Sequence, residues 1–130
     1  MTVFLGGLDN IFQIATFDWV TKKYKIQDSR LKEGRWLSSC AVLKDKSGNL
    51  LVAVVGGEFS SSLEAWNPQD GSVTKLADLP TISDNIQNSQ LISINNNTEL
   101  LLYGGYTIHN GSEHYHDEIW KYRSITNKWS

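Results

Sequence analysis

The stretch Thr-Ile-His-Asn-Gly-Ser-Glu-His-Tyr-His-Asp-Glu, residues 107–118, is the densest polar cluster in the chain. It holds all three histidines, His109, His114 and His116, beside Glu113, Asp117 and Glu118. His114 and His116 are two positions apart, so a strand would place both imidazoles on one face. Two such imidazoles bind zinc or copper when a third ligand converges on them. The same composition also reads as a solvated loop. Cys40 is the single cysteine, so no internal disulfide forms. Its apolar setting, Ser-Ser-Cys-Ala-Val-Leu, reads as a small buried hydrophobe, with Arg35 the one nearby cation that could activate a thiol. No serine–histidine–acid arrangement, phosphate loop or paired-cysteine zinc pattern is found. On these grounds no catalytic residue, metal site or cofactor is assigned, and the chain is not read as an enzyme.

Twelve basic side chains face fourteen acidic ones, a net charge of −2. That balance does not favour a phosphate backbone, so no nucleic-acid partner is expected. No apolar stretch reaches the length of a membrane span, so no membrane partner is expected either. Arg-Leu-Lys-Glu-Gly-Arg-Trp, residues 30–36, reads as a solvated connection.

The elements that would position these residues come in repeats. Apolar runs end on paired glycines three times, at Gly6–Gly7, Gly56–Gly57 and Gly104–Gly105, with intervals of 50 and 48 residues. A period near 50 corresponds to a unit of about four short strands. After each pair an aromatic residue recurs with a partner seven positions on: Phe17 and Tyr24, Trp66 and Val73, Tyr122 and Trp129. Turn-forming residues such as Asn67-Pro-Gln-Asp-Gly-Ser72 separate the partners. Strands are therefore expected near 2–5, 11–18, 24–27, 38–44, 50–55, 63–67, 73–76, 90–95, 99–103, 117–123 and 127–129, with almost no helix. Leu-Leu-Val-Ala-Val-Val, residues 50–55, has no polar face, so sheets should cover it on both sides. Gly105 to Tyr122 spans 17 positions, against 10 from Gly7 to Phe17 and 9 from Gly57 to Trp66. The histidine stretch is thus expected to be a long loop between strands.

An apolar run, a glycine pair, a variable loop, an aromatic strand, a turn and a tryptophan together resemble the kelch repeat. The third copy, Leu-Leu-Leu-Tyr-Gly-Gly followed by Ile-Trp-Lys-Tyr-Arg-Ser-Ile-Thr-Asn-Lys-Trp, carries the likeness best. The resemblance implies an all-β fold: a fragment of a β-propeller built of four-stranded antiparallel blades in an incomplete ring. It divides the chain into a partial blade lacking its inner strand at 1–34, a blade at 35–87, and a blade at 88–130 that ends in its last strand. The remaining blades, or a second copy, would be needed for closure. Ile14, Phe17 and Tyr24 are expected on one open end, and Leu101, Tyr103 and Trp120 or Tyr122 on the other. The glycine pairs and the aromatic pairs would be structural, with Gly56 and Gly104 buried at strand ends against neighbouring blades. Arg35 would point toward the mouth of a central channel.

The resemblance further implies a binding module whose loops contact a protein or peptide, with His109, His114, His116 and Arg35 as candidate contact residues. The alternative is a piece of a kelch-type propeller enzyme, metal-dependent or carbohydrate-directed. Copper enzymes of the wider group require a cysteine-modified tyrosine beside histidine ligands, and Cys40 reads as core.

Overall fold

A computed structural model describes residues 1–58, 60–80 and 85–130. Among them are twelve strands and no helix. The first sheet contains β1 (Thr2–Leu5), β2 (Gln13–Asp18) and β3 (Lys23–Arg30), in that order. The second contains β4 (Ser39–Lys44), β5 (Leu50–Val55), β6 (Leu63–Trp66) and β7 (Val73–Lys75), again in chain order. The third contains β8 (Gln87–Ile94), β9 (Glu99–His109), β10 (Ser112–Tyr115), β11 (Ile119–Arg123) and β12 (Lys128–Trp129). There β9 is central: it pairs with β8, β10 and β11, and β12 closes on β11. All pairings are antiparallel, and none of the sheets closes on itself.

Local chemistry sets the hairpins. In the β4–β5 turn, the Asp45 carboxylate accepts from the backbone N–H of Ser47 at 2.9 Å and of Asn49 at 2.8 Å, an Asx-type closure. Between β8 and β9, Asn95, Asn96 and Asn97 all take left-handed backbone angles, which asparagine tolerates better than most residues. The residues seven apart face each other across their turns. Phe17 pairs with Tyr24, Trp66 with Val73, and Tyr122 with Trp129.

Two apolar seams join the sheets, and β5 contributes to both. Val54 and Trp66 pack with Ile14 and Leu31 between the first and second sheets, flanked by Val3, Leu5, Val52 and Val73. Ala53, Val55, Leu43 and Leu63 pack with Leu91, Leu100, Leu102 and Tyr122 between the second and third. A strand covered on both faces needs no polar alternation, which accounts for the composition of residues 50–55.

The outer faces of the two end sheets stay open. Phe4, Tyr24 and Ile26 are exposed on the first, and Ile92, Tyr103 and Ile119 on the third. This corrects the expected assignment: Ile14 is buried in the first seam, and Tyr122, with Trp120 beside it, packs into the second. Their registers put them on the inner faces, since Trp120 pairs with Leu102 and Tyr122 with Leu100.

Candidate functional site

The histidine stretch is not a loop. β9 runs through Gly104 and Gly105 to His109, and the chain returns as β10. His109 pairs with Ser112 across Asn110–Gly111, whose φ angles are 49° and 78°. A two-residue Asn-Gly connection with both angles positive matches the right-handed twist of the strands it joins. The third sheet therefore has five strands where four were expected. The signal for it, Asn-Gly between alternating residues, stands in the sequence. Gly104 is consequently inside a strand and only half-buried, not at a buried strand end.

The hairpin has two chemically distinct faces. Tyr106 and Tyr115 pair across it with ring centroids 5.9 Å apart, on the face shared with Ile108 and Glu113. Tyr115 is 69% exposed and donates its hydroxyl hydrogen bond to Glu113, and that bond with the adjacent negative charge raises the phenol above its ordinary range. Thr107, His109 and His114 lie on the other face. His114 and His116 meet edge to face at 4.9 Å. His116 is buried at the base, its Nε2 lying 3.2 Å from the Thr107 hydroxyl and its Nδ1 3.4 Å from Glu118. Glu118 is held below the ordinary carboxylate range, first by its own backbone N–H and then by the neighbouring imidazoles. Both ring nitrogens of His116 thus have protein partners. Among the described residues no three histidine, cysteine or acidic side chains converge as a metal site would require. His109 and His114 remain available at the surface.

Arg35 lies elsewhere and does something else. Its side chain is fully buried between the first and second sheets, not on a solvated face. The guanidinium donates to the carbonyls of Gly56 at 3.0 Å and Ser62 at 2.9 Å, to the Ser62 hydroxyl at 2.8 Å and to Glu64 at 2.6 Å. Glu64, also fully buried, accepts from the backbone N–H of Lys32 at 2.6 Å and of Glu33 at 3.1 Å. The terminal guanidinium nitrogens and the carboxylate thus have partners beyond each other, which is what lets a buried charge pair persist, while the Arg35 Nε has no hydrogen-bond partner among the described residues. Glu33 sits beside it at the surface. Burial works against its charge, but hydrogen bonds from Ser60, Ser62 and Lys75 outweigh that and hold the carboxyl down to about 2. The knot ties the connection between sheets one and two to the loop before β6, and it has no access for a ligand.

The glycine pairs form a second tie. Gly7 donates its N–H to the Arg35 carbonyl at 3.0 Å, and Gly57 donates to the Ile86 carbonyl at 2.7 Å. Each carbonyl belongs to the connection leading into the following sheet. A Cβ on Gly6 would run into the Arg35 carbonyl, and one on Gly56 would lie 2.7 Å from that of Ile86. At Gly104 a Cβ would meet nothing within 4 Å.

Cys40 is exposed rather than part of the core. It lies on the face of β4 that looks toward the first sheet, in register with Val54. In the first sheet no strand of the described residues lies beside β1 to cover it.

Among the described residues no helix is long and apolar enough to cross a membrane. No protein-family model matches the chain, and no curated protein matches it. Among solved structures, one described as "Structure of YjhT" superposes with a TM-score of 0.60 at 20% sequence identity. The match covers 74% of this chain and 26% of that one, so this chain spans about a quarter of the length of the structure it resembles. At that identity the likeness is one of fold.

Proposed function

We propose that the chain is a run of consecutive kelch-type propeller blades acting as a protein-binding module, with the β9–β10 hairpin as its contact element. The observation that carries the reading is the hairpin itself. Among the described residues it is the one place where a repeat departs from its neighbours by adding structure, and its side chains beyond Thr107 up to Tyr115 are exposed. A tyrosine pair on one face and imidazoles on the other offer amphipathic and hydrogen-bonding groups at low entropic cost, the composition that protein contacts favour. The repeated tie from a glycine pair to the next connection supports the blade reading. So do the open outer faces, which further blades or a second copy would cover.

The test is affinity capture with the parent chain and with a variant carrying His109→Ala, His114→Ala and Tyr115→Ala, the bound proteins being quantified in parallel. A binding protein held by the parent and lost by the variant, at unchanged melting temperature, is the expected result. Equal capture by both chains would remove the hairpin from the binding role.

A further inference from the structure

At the end of the sheets away from the β9–β10 hairpin, two turns enclose a cleft between the second and third sheets. One is the β4–β5 turn and the other the β11–β12 turn. β9 begins beside it at Glu99 and reaches the hairpin at its far end. Hydrogen bonds fix the walls. Lys44 donates its N–H to the Asn97 carbonyl at 2.6 Å, and Ser124 donates to that of Thr98 at 3.1 Å. The Asn127 side-chain oxygen accepts from the Ala77 N–H at 2.9 Å and from the Tyr122 hydroxyl at 2.8 Å. The cleft is thus set by the fold itself, as ligand sites usually are.

The cleft has two lobes, of about 430 Å³ and about 400 Å³, which meet at Lys46, Ser124 and Ile125. Each is of the size that takes a small molecule. Their chemistry differs. Leu43, Leu51, Leu76 and Tyr122 line the smaller lobe. Lys44, Lys46 and Arg123 line the larger one, with Asp45 and Glu99. Three cations there face two carboxylates, and both carboxylates are already engaged. Asp45 accepts from the N–H groups of Ser47 and Asn49 and from the Asn49 side-chain amide at 3.1 Å. Glu99 accepts from the Asn95 amide and pairs with the Arg123 Nε at 2.9 Å. Among the described residues Lys46 has no ion-pair partner. Unspent positive charge therefore lies next to an apolar trough.

Ile125 stands between the lobes and is 76% exposed. The turn does not demand an apolar residue there. With Trp66 paired to Val73 and Tyr122 to Trp129, Gln69 holds the same place in the β6–β7 turn.

We propose that this cleft binds a small carboxylate with an apolar body, its charged end at Lys46 and Arg123 and its body across Ile125 onto Leu51 and Leu76. The two cations supply charge-assisted hydrogen bonds, which orient the ligand. Burial of the apolar body, together with the exposed Ile125, supplies the rest of the affinity. The site is separate from the hairpin, and the inference requires neither a propeller nor a protein partner.

Octanoate is the probe, titrated into the chain while backbone amide chemical shifts are followed. Saturation with a Kd near about 1 mM or tighter is expected, with the largest shifts at Lys46, Ser124 and Ile125. Octanol keeps the apolar body without the charge and should bind about tenfold more weakly. Lys46→Glu should weaken octanoate about tenfold and leave octanol unchanged, whereas Ile125→Asp should weaken both. Both side chains are exposed, so neither variant should move the Tm. No saturation of the cleft resonances below about 10 mM octanoate would overturn the proposal. So would octanol binding as tightly as octanoate, or shifts concentrated instead on the open outer faces at Phe4 and Tyr103. The same shifts produced by raising the protein concentration alone would overturn the choice of occupant in favour of a second copy.

Discussion

Gly56–Gly57 and Gly104–Gly105 follow the same kind of apolar strand and differ in what meets them. At the first pair the strand stops, and the Ile86 carbonyl of the next connection accepts from Gly57 at 2.7 Å. At the second pair the strand continues, with left-handed angles at both glycines, into a hairpin. The requirement for glycine is therefore of two kinds. Backbone approach from a neighbouring sheet imposes it at Gly56, while Gly104 needs only the backbone angle. Gly105 still has an approach to satisfy, since Gln87 and Ser89 of its own sheet lie within contact of an added Cβ.

The comparison breaks most completely at Arg35. Arg35→Ala would leave Glu64 as an uncompensated buried charge and remove the donors held by Gly56 and Ser62. The expected loss is about 3 kcal/mol or more, read as a fall in the urea midpoint. A loss below about 1 kcal/mol, the range of exposed pairs, would mean the knot is solvated.

The glycines themselves sharpen it. Gly56→Ala should cost about 2–4 kcal/mol, combining a positive φ with collision against Ile86. Gly104→Ala should cost about 1 kcal/mol, since only the backbone angle is strained. The sequence placed Gly104 against a neighbouring blade, but an added Cβ there would meet nothing within 4 Å. Thermal melts of the two variants side by side measure the gap, and equal losses would end the distinction.

The smallest effect is a pH dependence at the rim of the knot. The Glu33 carboxyl is depressed from an ordinary 4.5 to about 2, so the unfolded chain takes up its proton first as pH falls. Its contribution to stability is complete above about 4.5 and is lost as pH falls toward about 2. Glu33→Gln should flatten that part of the stability curve and leave the curve above it nearly parallel to the parent's. An unaltered acid slope would assign the dependence to other carboxylates.

Features that depend on neighbours in sequence could be read there. The strand runs, the glycine pairs and the facing residues seven apart all follow from local periodicity and turn chemistry. The hairpin was equally local, since Asn110–Gly111 carries its signal, but the polar histidines around it suit a loop as well. Arg35 was not legible. Its burial depends on carbonyls of Gly56 and Ser62 and on a carboxylate at position 64, and a cation among Arg30 and Lys32 reads as surface. Cys40 failed for another reason. Its apolar neighbours are real, but its exposure is decided by the strand that the first sheet lacks.

The joint between a glycine pair and the following connection uses a main-chain oxygen, contributed by arginine in one case and isoleucine in the other. Every residue type carries that oxygen, so the joint exerts almost no selection on the side chain that supplies it. Successive repeats can drift far apart in sequence and still be joined, provided the glycines and the spacing are kept. A duplicated or transplanted copy brings a working attachment point with it, and its side chains are left free for other tasks.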